Sequence, residues 1–377
     1  MKQTATFVRG SLLACSLIFK TSDSSKQRRH YYPIGMKTTK RSSFRWYFLF
    51  AIHFLLFSCQ AKQHMETNKF KWLGTLSAPK EYPVEVYKGE ISSNDYSYGF
   101  DPIWGVFNSG WGVNAGMMST ENEPANLPNR LSITWYSVVE DKYYTGAWNV
   151  DPSKILELIQ KNESDKETEF KFMIGLAPGG LVNFWIIGEN QQLIATYQAE
   201  RTELTPENTD ETFEHHFRQE YRESAYDLKE IFEEEDYYNL TQEGGIPVSW
   251  YAEANRLYAW GIIVKGLENE NIQTCFYQTF NGENLIKSYA EMQNVSPNKS
   301  LPSKVFVTWI TAENIKMIAV VDFEYAQIQE AFKQADTEQV KQLQLIIEPK
   351  NQKVEVQLLA SNKQIDVEVK KSIVTTE

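Results

Sequence analysis

The clearest pattern along this chain is alternation, and it occurs twice. Leu131, Ile133 and Trp135 are separated by the polar Ser132 and Thr134, the period-two mark of a strand with one buried face. The stretch that carries it, Leu127-Pro128-Asn129-Arg130-Leu131-Ser132-Ile133-Thr134-Trp135, returns as Leu301-Pro302-Ser303-Lys304-Val305-Phe306-Val307-Thr308-Trp309. Matching blocks follow both stretches in the same order. A short helix is expected at Ile155, Leu158 and Ile159, and again at Ile328, Ala331 and Phe332. A strand at Phe170–Ile174 answers one at Leu343–Ile347, and its hairpin partner at Val182–Ile186 answers Val354–Leu358. The series ends with Leu193, Ala195 and Tyr197 beside Ile365, Val367 and Val369, and the offset drifts only from 174 to 172. Five blocks in order at nearly constant spacing predict two copies of one supersecondary unit.

The starts of the copies are less similar. Trp72 to Lys88-Gly89 aligns with Trp250 to Lys265-Gly266 when one gap is allowed. Ala177-Pro178-Gly179-Gly180 and Asn351-Gln352-Lys353 fall where hairpin turns are needed. Asp151 followed by Pro152 predicts a capped helix start. Val182, Phe184 and Ile186 alternate, but Trp185 and Ile187 fill the other face, so that strand is expected to be covered on both sides.

Between the copies the period changes. Phe213, Phe217, Tyr221, Ala225, Leu228 and Phe232 recur every three or four positions, one face of an amphipathic helix with an acidic remainder. The predicted fold is therefore α+β and β-rich. A first unit spans 59–202, an acidic linker helix 203–240, and a second unit 241–377. The helix either packs its stripe on a sheet or offers an acidic ridge to a basic partner.

Upstream the chain reads as an address. The apolar run Trp46–Phe57 is about half the ~20 residues of a membrane-spanning helix, and it follows Lys37, Lys40, Arg41 and Arg45. Leu56-Phe57-Ser58-Cys59 ends the run, in the order of a lipoprotein signal with Cys59 as the lipidated residue. Residues 36–58 are read as that signal, and 1–35 as an extension ahead of Met36. Gln60, a non-acidic second residue, favours the outer over the inner membrane.

Removing residues 1–58, with ten basic residues and one acidic, leaves 28 Lys and Arg against 48 Asp and Glu. So acidic a surface argues against nucleic acid and makes lipid the expected link to a membrane. If Cys59 carries lipid, Cys275 has no cysteine to pair with.

No HExxH, CxxC, EF-hand or phosphate-loop motif is present, so no cofactor or metal is expected. On a helix the neighbouring His215 and His216 would diverge by about 100° and would not share one metal. A non-enzymatic role is the reading, with a carboxylate-based hydrolase as the remote alternative. The loop Trp104 to Asn114 interleaves aromatics, glycines and amides. Trp104, Asn108, Trp111 and Asn114 are its candidate contacts to a protein or a glycan, against the alternative that its tryptophans plug the end of a sheet.

Leu76-Ser77-Ala78-Pro79, Tyr82-Pro83-Val84-Glu85-Val86 and Gly110-Trp111-Gly112 resemble the opening of an uncharacterised lipoprotein family common in Bacteroidota. Leu127-Pro128 with Thr134-Trp135, Gly175–Gly180, and Gly245-Ile246-Pro247 with Trp250 and Tyr258 extend the likeness over most of the chain after Cys59. The resemblance implies an exported lipoprotein without assigned catalytic residues. Some relatives lie near lipase effectors of contact-dependent secretion systems, which implies an immunity role.

Overall fold

The computed structural model describes residues 69–102, 105–116, 123–161, 169–232, 248–267, 271–335, 341–348, 350, 352–361 and 363–376. Cys59, the signal, the preceding extension and Trp104 lie outside them. The described chain is built mainly from strands. The first half contributes β1 (Trp72–Ser77), β2 (Val84–Ser92), β3 (Ser97–Phe100), β4 (Val106–Phe107), β5 (Arg130–Ser137), β6 (Lys142–Asn149), β7 (Phe170–Leu176), β8 (Leu181–Ile187), β9 (Gln191–Gln198) and β10 (Glu200–Thr202). The second contributes β11 (Tyr258–Lys265), β12 (Asn271–Thr279), β13 (Asn284–Ser288), β14 (Ser296–Lys299), β15 (Pro302–Ile310), β16 (Lys316–Phe323), β17 (Lys341–Glu348), β18 (Lys353–Ala360), β19 (Lys363–Asp366) and β20 (Val369–Thr376).

The order of pairing in one half recurs in the other. In the first, β1 runs parallel to β7, which continues antiparallel to β8 and β9, while β3, β2, β5, β6 and β10 form an antiparallel sheet. In the second, β11 is parallel to β17 and continues to β18 and β19, while β13, β12, β15, β16 and β20 follow one another. Each half is thus two sheets face to face. The alternation read from Leu131, Ile133 and Trp135 turns these side chains inward, where they are almost wholly buried, and Val305, Val307 and Trp309 do the same in the second half. Trp72, Phe172 and Phe184 meet the first set from the opposite sheet.

The helices around Ile155 and Ile328 span Pro152–Lys161 and Tyr325–Gln334, and each buries its apolar stripe. Asp151 accepts from the Ser153 N–H at 2.9 Å, as the capping argument requires. All of Leu181–Ile186 is buried, so β8 is covered on both faces.

Two expectations need correction. Trp250 is not the counterpart of Trp72. It lies on the helix Val248–Ala254, and the strand answering β1 is β11 with Trp260. The Trp72 indole donates to the Asn126 carbonyl and that of Trp260 to the Ser300 carbonyl, in each case just ahead of a Leu-Pro. The linker is not one helix either. Where described, it is a 3-10 helix Glu211–Phe217 and two short helices, Gln219–Ala225 and Leu228–Ile231. Arg218 and Asp227 between them are extended. Asp227 turns its carboxylate onto the Lys229 N–H, satisfying a backbone donor from outside the helix and restarting it.

The halves join because β9 pairs with β13, making one nine-stranded sheet. That seam has a single paired register, Asn284 with Gln191, and side chains reinforce it. Gln191 donates to the carbonyls of Gly112 (2.8 Å) and Gly282, Glu283 accepts from the Leu193 N–H at 3.0 Å, and the Trp185 indole donates to the Asn281 carbonyl. Gly112 and Gly282 touch backbone to backbone. A Cβ on Gly112 would lie 2.6 Å from the Gly282 Cα, and both residues have positive φ, 76° and 86°.

Gly112→Ala and Gly282→Ala therefore combine a clash with backbone strain, and each is expected to cost about 2 kcal/mol or more. Gly99, whose added Cβ would meet nothing within 4 Å, is the control. Urea titration of the three variants decides it: a Gly282→Ala protein as stable as Gly99→Ala would remove the close approach as a constraint.

Candidate functional site

The richest side-chain chemistry sits on the outer face of the β2–β5–β6 sheet. Glu85 follows the inward-facing Val84, so the pleat turns its carboxylate away from the core. It is nevertheless fully buried, because the chain from Glu211 to Ile231 folds over it. Four side chains of that segment surround it. His215 Nε2 lies 3.0 Å from Oε1, and His216 Nδ1 3.2 Å from Oε2. Tyr221 donates to Oε1 at 2.7 Å and Tyr226 donates to Oε2. Burial opposes the charge, but these hydrogen bonds outweigh it and hold the carboxyl down at about 2. The two histidines thus share one carboxylate. The expectation that they diverge assumed an α-helix, and the tighter 3-10 winding with the extended Arg218 after it breaks that assumption.

A second layer fixes the tautomer of His216. Its Nε2 lies 2.7 Å from the Tyr143 hydroxyl and 3.2 Å from Arg222 Nη1. Arginine only donates, so Nε2 accepts and Nδ1 carries the proton toward Glu85. Desolvation keeps the ring below its ordinary pKa, and it stacks on Phe213 at 4.5 Å with a 12° tilt. Arg222 also reaches Tyr136 (3.0 Å) and Asp141 (3.2 Å). Tyr87 packs against Phe213, with ring centroids 5.0 Å apart and a 46° tilt, and donates to Asp210. These contacts join the segment to β2, β5 and β6 and pin it to the sheet.

Beside the pinned segment, on the same face, the sheet opens into a groove of about 740 Å³. Rows along β5 and β6 show the transition. Tyr136 opposite Tyr143 lies under the segment, and Thr134 opposite Thr145 and Ser132 opposite Ala147 floor the groove. The Thr134 and Thr145 hydroxyls lie 2.7 Å apart. Lys88, Glu90 and Glu200 give the groove charge, while the Trp148 ring, stacked on Tyr197 at 5.0 Å, packs on the core side of the sheet. Hydroxyls, two carboxylates and an ammonium on a rigid sheet suit a polar ligand held by many modest contacts.

The aromatic loop is placed otherwise. Trp111 is half-buried against Trp185 and Tyr251, with ring centroids 5.0 and 5.4 Å away, and its indole nitrogen is buried without a hydrogen-bond partner. Asn108 donates to the Lys80 carbonyl at 2.9 Å. Asn114 and Val113 project into solvent. Of the candidate contacts, the described Asn108, Trp111 and Asn114 do not form one exposed surface, and Trp104 lies outside the described residues. The Glu85 network was missed in the sequence because its members lie more than a hundred residues apart. The one available signal was an acidic residue breaking the apolar run Tyr82–Tyr87. Among the described residues no His, Cys, Asp or Glu cluster is arranged to hold a metal.

Removing the Glu85 carboxylate strands buried donors, so Glu85→Ala is expected to lose about 3 kcal/mol or more. Acid should do the same in stages. The folded His216 has a depressed pKa, so its contribution is complete above about 6.5 and is lost as pH falls below that. Glu85 adds its share above 4.5 and loses it toward pH 2. Protection factors in 211–231, corrected for the slower intrinsic exchange in acid, should therefore fall between pH 7 and pH 4 ahead of those in β5 and β15. Uniform protection over that range would show that the network does not hold the segment.

No curated protein matches this chain, and no solved structure matches it. One family does, described as "Protein of unknown function (DUF2931)", over residues 59–249. That span starts on Cys59 and takes in the first sandwich, the groove and the pinned segment. The chain belongs to the DUF2931 family.

Proposed function

We propose that this protein is a lipid-anchored envelope protein that binds a partner without transforming it. The observation that carries the reading is the groove over Ser132, Thr134 and Thr145, inside the family-matched span. The anchor rests on the order of parts that ends at Cys59. Among the described residues no helix is long and apolar enough to cross a membrane. The matching strand order of the halves, with the near-constant offset of the sequence blocks, supports an internal duplication, with units at 59–202 and 241–377. In that reading the ancestral unit is one sandwich, and the linker segment is a later cover for the first copy.

A protein partner is the first reading. Glu211, Glu214, Glu220 and Glu223 stand exposed on the pinned segment beside the groove and present an acidic ridge to a basic surface. An immunity-type role against a secreted effector is the form of this that the family resemblance favours. A glycan is the second reading, favoured by the hydroxyl floor.

Ala147 is exposed in the groove and bears on no core residue, so Ala147→Arg fills the groove while leaving the fold. It should abolish partner retention in the cell envelope and leave the circular dichroism spectrum unchanged. Partner retention equal to wild type would exclude the groove. A glycan panel and a salt series on the retained complex separate the two partners, since only the acidic ridge predicts loss of binding at high salt. The anchor has its own test: clickable palmitate should label the wild type and not Cys59→Ala.

A further inference from the structure

A cleft of about 280 Å³ opens at the seam of the two sandwiches, on other elements than the groove. Three lysines from three elements line it: Lys161 from the end of the helix Pro152–Lys161, Lys287 from β13 and Lys299 from β14. In a chain with net charge −11 such convergence is unusual. Lys299 is the most enclosed. Its ammonium donates to the Trp260 carbonyl at 3.0 Å and lies 4.7 Å from the Trp260 ring and 5.8 Å from the Tyr277 ring. No carboxylate pairs with it among the described residues, which leaves N–H donors uncommitted. Tyr277, Thr279 and Gln192 add polar groups to the wall.

The two carboxylates of the cleft are already engaged. Glu283 accepts from the Leu193 N–H and, at 3.2 Å, from Asn281. Glu291 closes the capping box of the helix Tyr289–Gln293, accepting from the Ser288 N–H at 2.9 Å, and lies 3.8 Å from Lys287. Burial pushes the Glu283 carboxyl up, so its negative charge is weakened. Burial, with Lys161 and Lys287 nearby, brings Lys299 down to about 8. An anion in the cleft would relieve both lysine repulsion and lysine desolvation.

We propose that this cleft is a binding site for a small oxyanion, a phosphate or carboxylate group, with Lys299 as its buried cation and Lys161 and Lys287 at its mouth. The inference is independent of the groove and of the partner proposed for it. Because Lys161 and Gln192 belong to the first half and Lys287 and Lys299 to the second, a bound anion also clamps the seam.

Calorimetric titration of the intact protein with inorganic phosphate and, separately, with succinate at constant ionic strength tests it. Saturable binding is expected for at least one, with a Kd of about 1 mM or tighter, roughly −4 kcal/mol. Lys299→Met should weaken it at least tenfold, while Lys304→Met, whose lysine pairs with Asp322 at 3.1 Å on the outer face of β15, should not. Phosphate binding alone marks a phosphorylated ligand, and succinate alone a carboxylate. If Lys299→Met fails to fold, acylation of the wild type at pH 8 replaces it. The binding anion should then slow modification of Lys299 and not of Lys304. No saturation with either anion, equal affinity in Lys299→Met, or no protection of Lys299 overturns the proposal.

Discussion

Two backbones have to touch for this molecule to be one body. Gly112, in the loop after β4, and Gly282, in the turn between β12 and β13, meet with no side chain between them, each in the left-handed region that glycine accepts without strain. That contact brings the Gly112 carbonyl within reach of Gln191, sets Trp111 against Trp185, and lets β9 lie beside β13. The nine-stranded sheet, the small aromatic cluster around Tyr251 and the lysine-lined cleft all follow from it. A side chain at either position would separate the sandwiches by the thickness of a methyl group, and a ladder with one paired register has no reserve to absorb that.

The Glu85 network solves a different problem. A carboxylate on the outer face of a sheet would ordinarily face water, and here it is sealed beneath the segment that supplies its donors. Burial of such a charge is costly, and four hydrogen bonds offset the cost only while the segment stays in place. The sequence therefore commits residues 211–231 to this sheet far more tightly than their short helices could by themselves. The exposed acidic side chains of that segment are held in a fixed position beside the groove as a result.

How much of this could be read beforehand depends on the range of the interaction. Strand alternation, the Asp151-Pro152 helix start and the turn at Ala177–Gly180 are local, and all three are found where the chain announces them. The parallel strand pairs β1–β7 and β11–β17 join segments about 80 to 100 residues apart, and only β7 and β17 were legible, as one of the repeated blocks. The alignment of Trp250 with Trp72 failed because an indole signals burial but not which backbone carbonyl it will reach. The apolar spacing from Phe213 to Phe232 is genuinely helical, yet Asp227 caps a new helix inside it and Glu85 draws His215 and His216 to one point. Periodicity carries no information about a carboxylate 130 residues upstream. In the aromatic loop, composition suited both a contact surface and a plug, and only the position of Trp185 across the sheet sets Trp111 inside.

The nine-stranded sheet begins with β1 and ends with β20, the first and last strands of the described chain. Tension between those two strands would run across the sheet, perpendicular to every strand, so hydrogen bonds would be loaded in sequence and not together. Such a path is mechanically soft, and its softest joint is the single register between β9 and β13. Held at one end and pulled at the other, the protein would part between its sandwiches while each kept its own core.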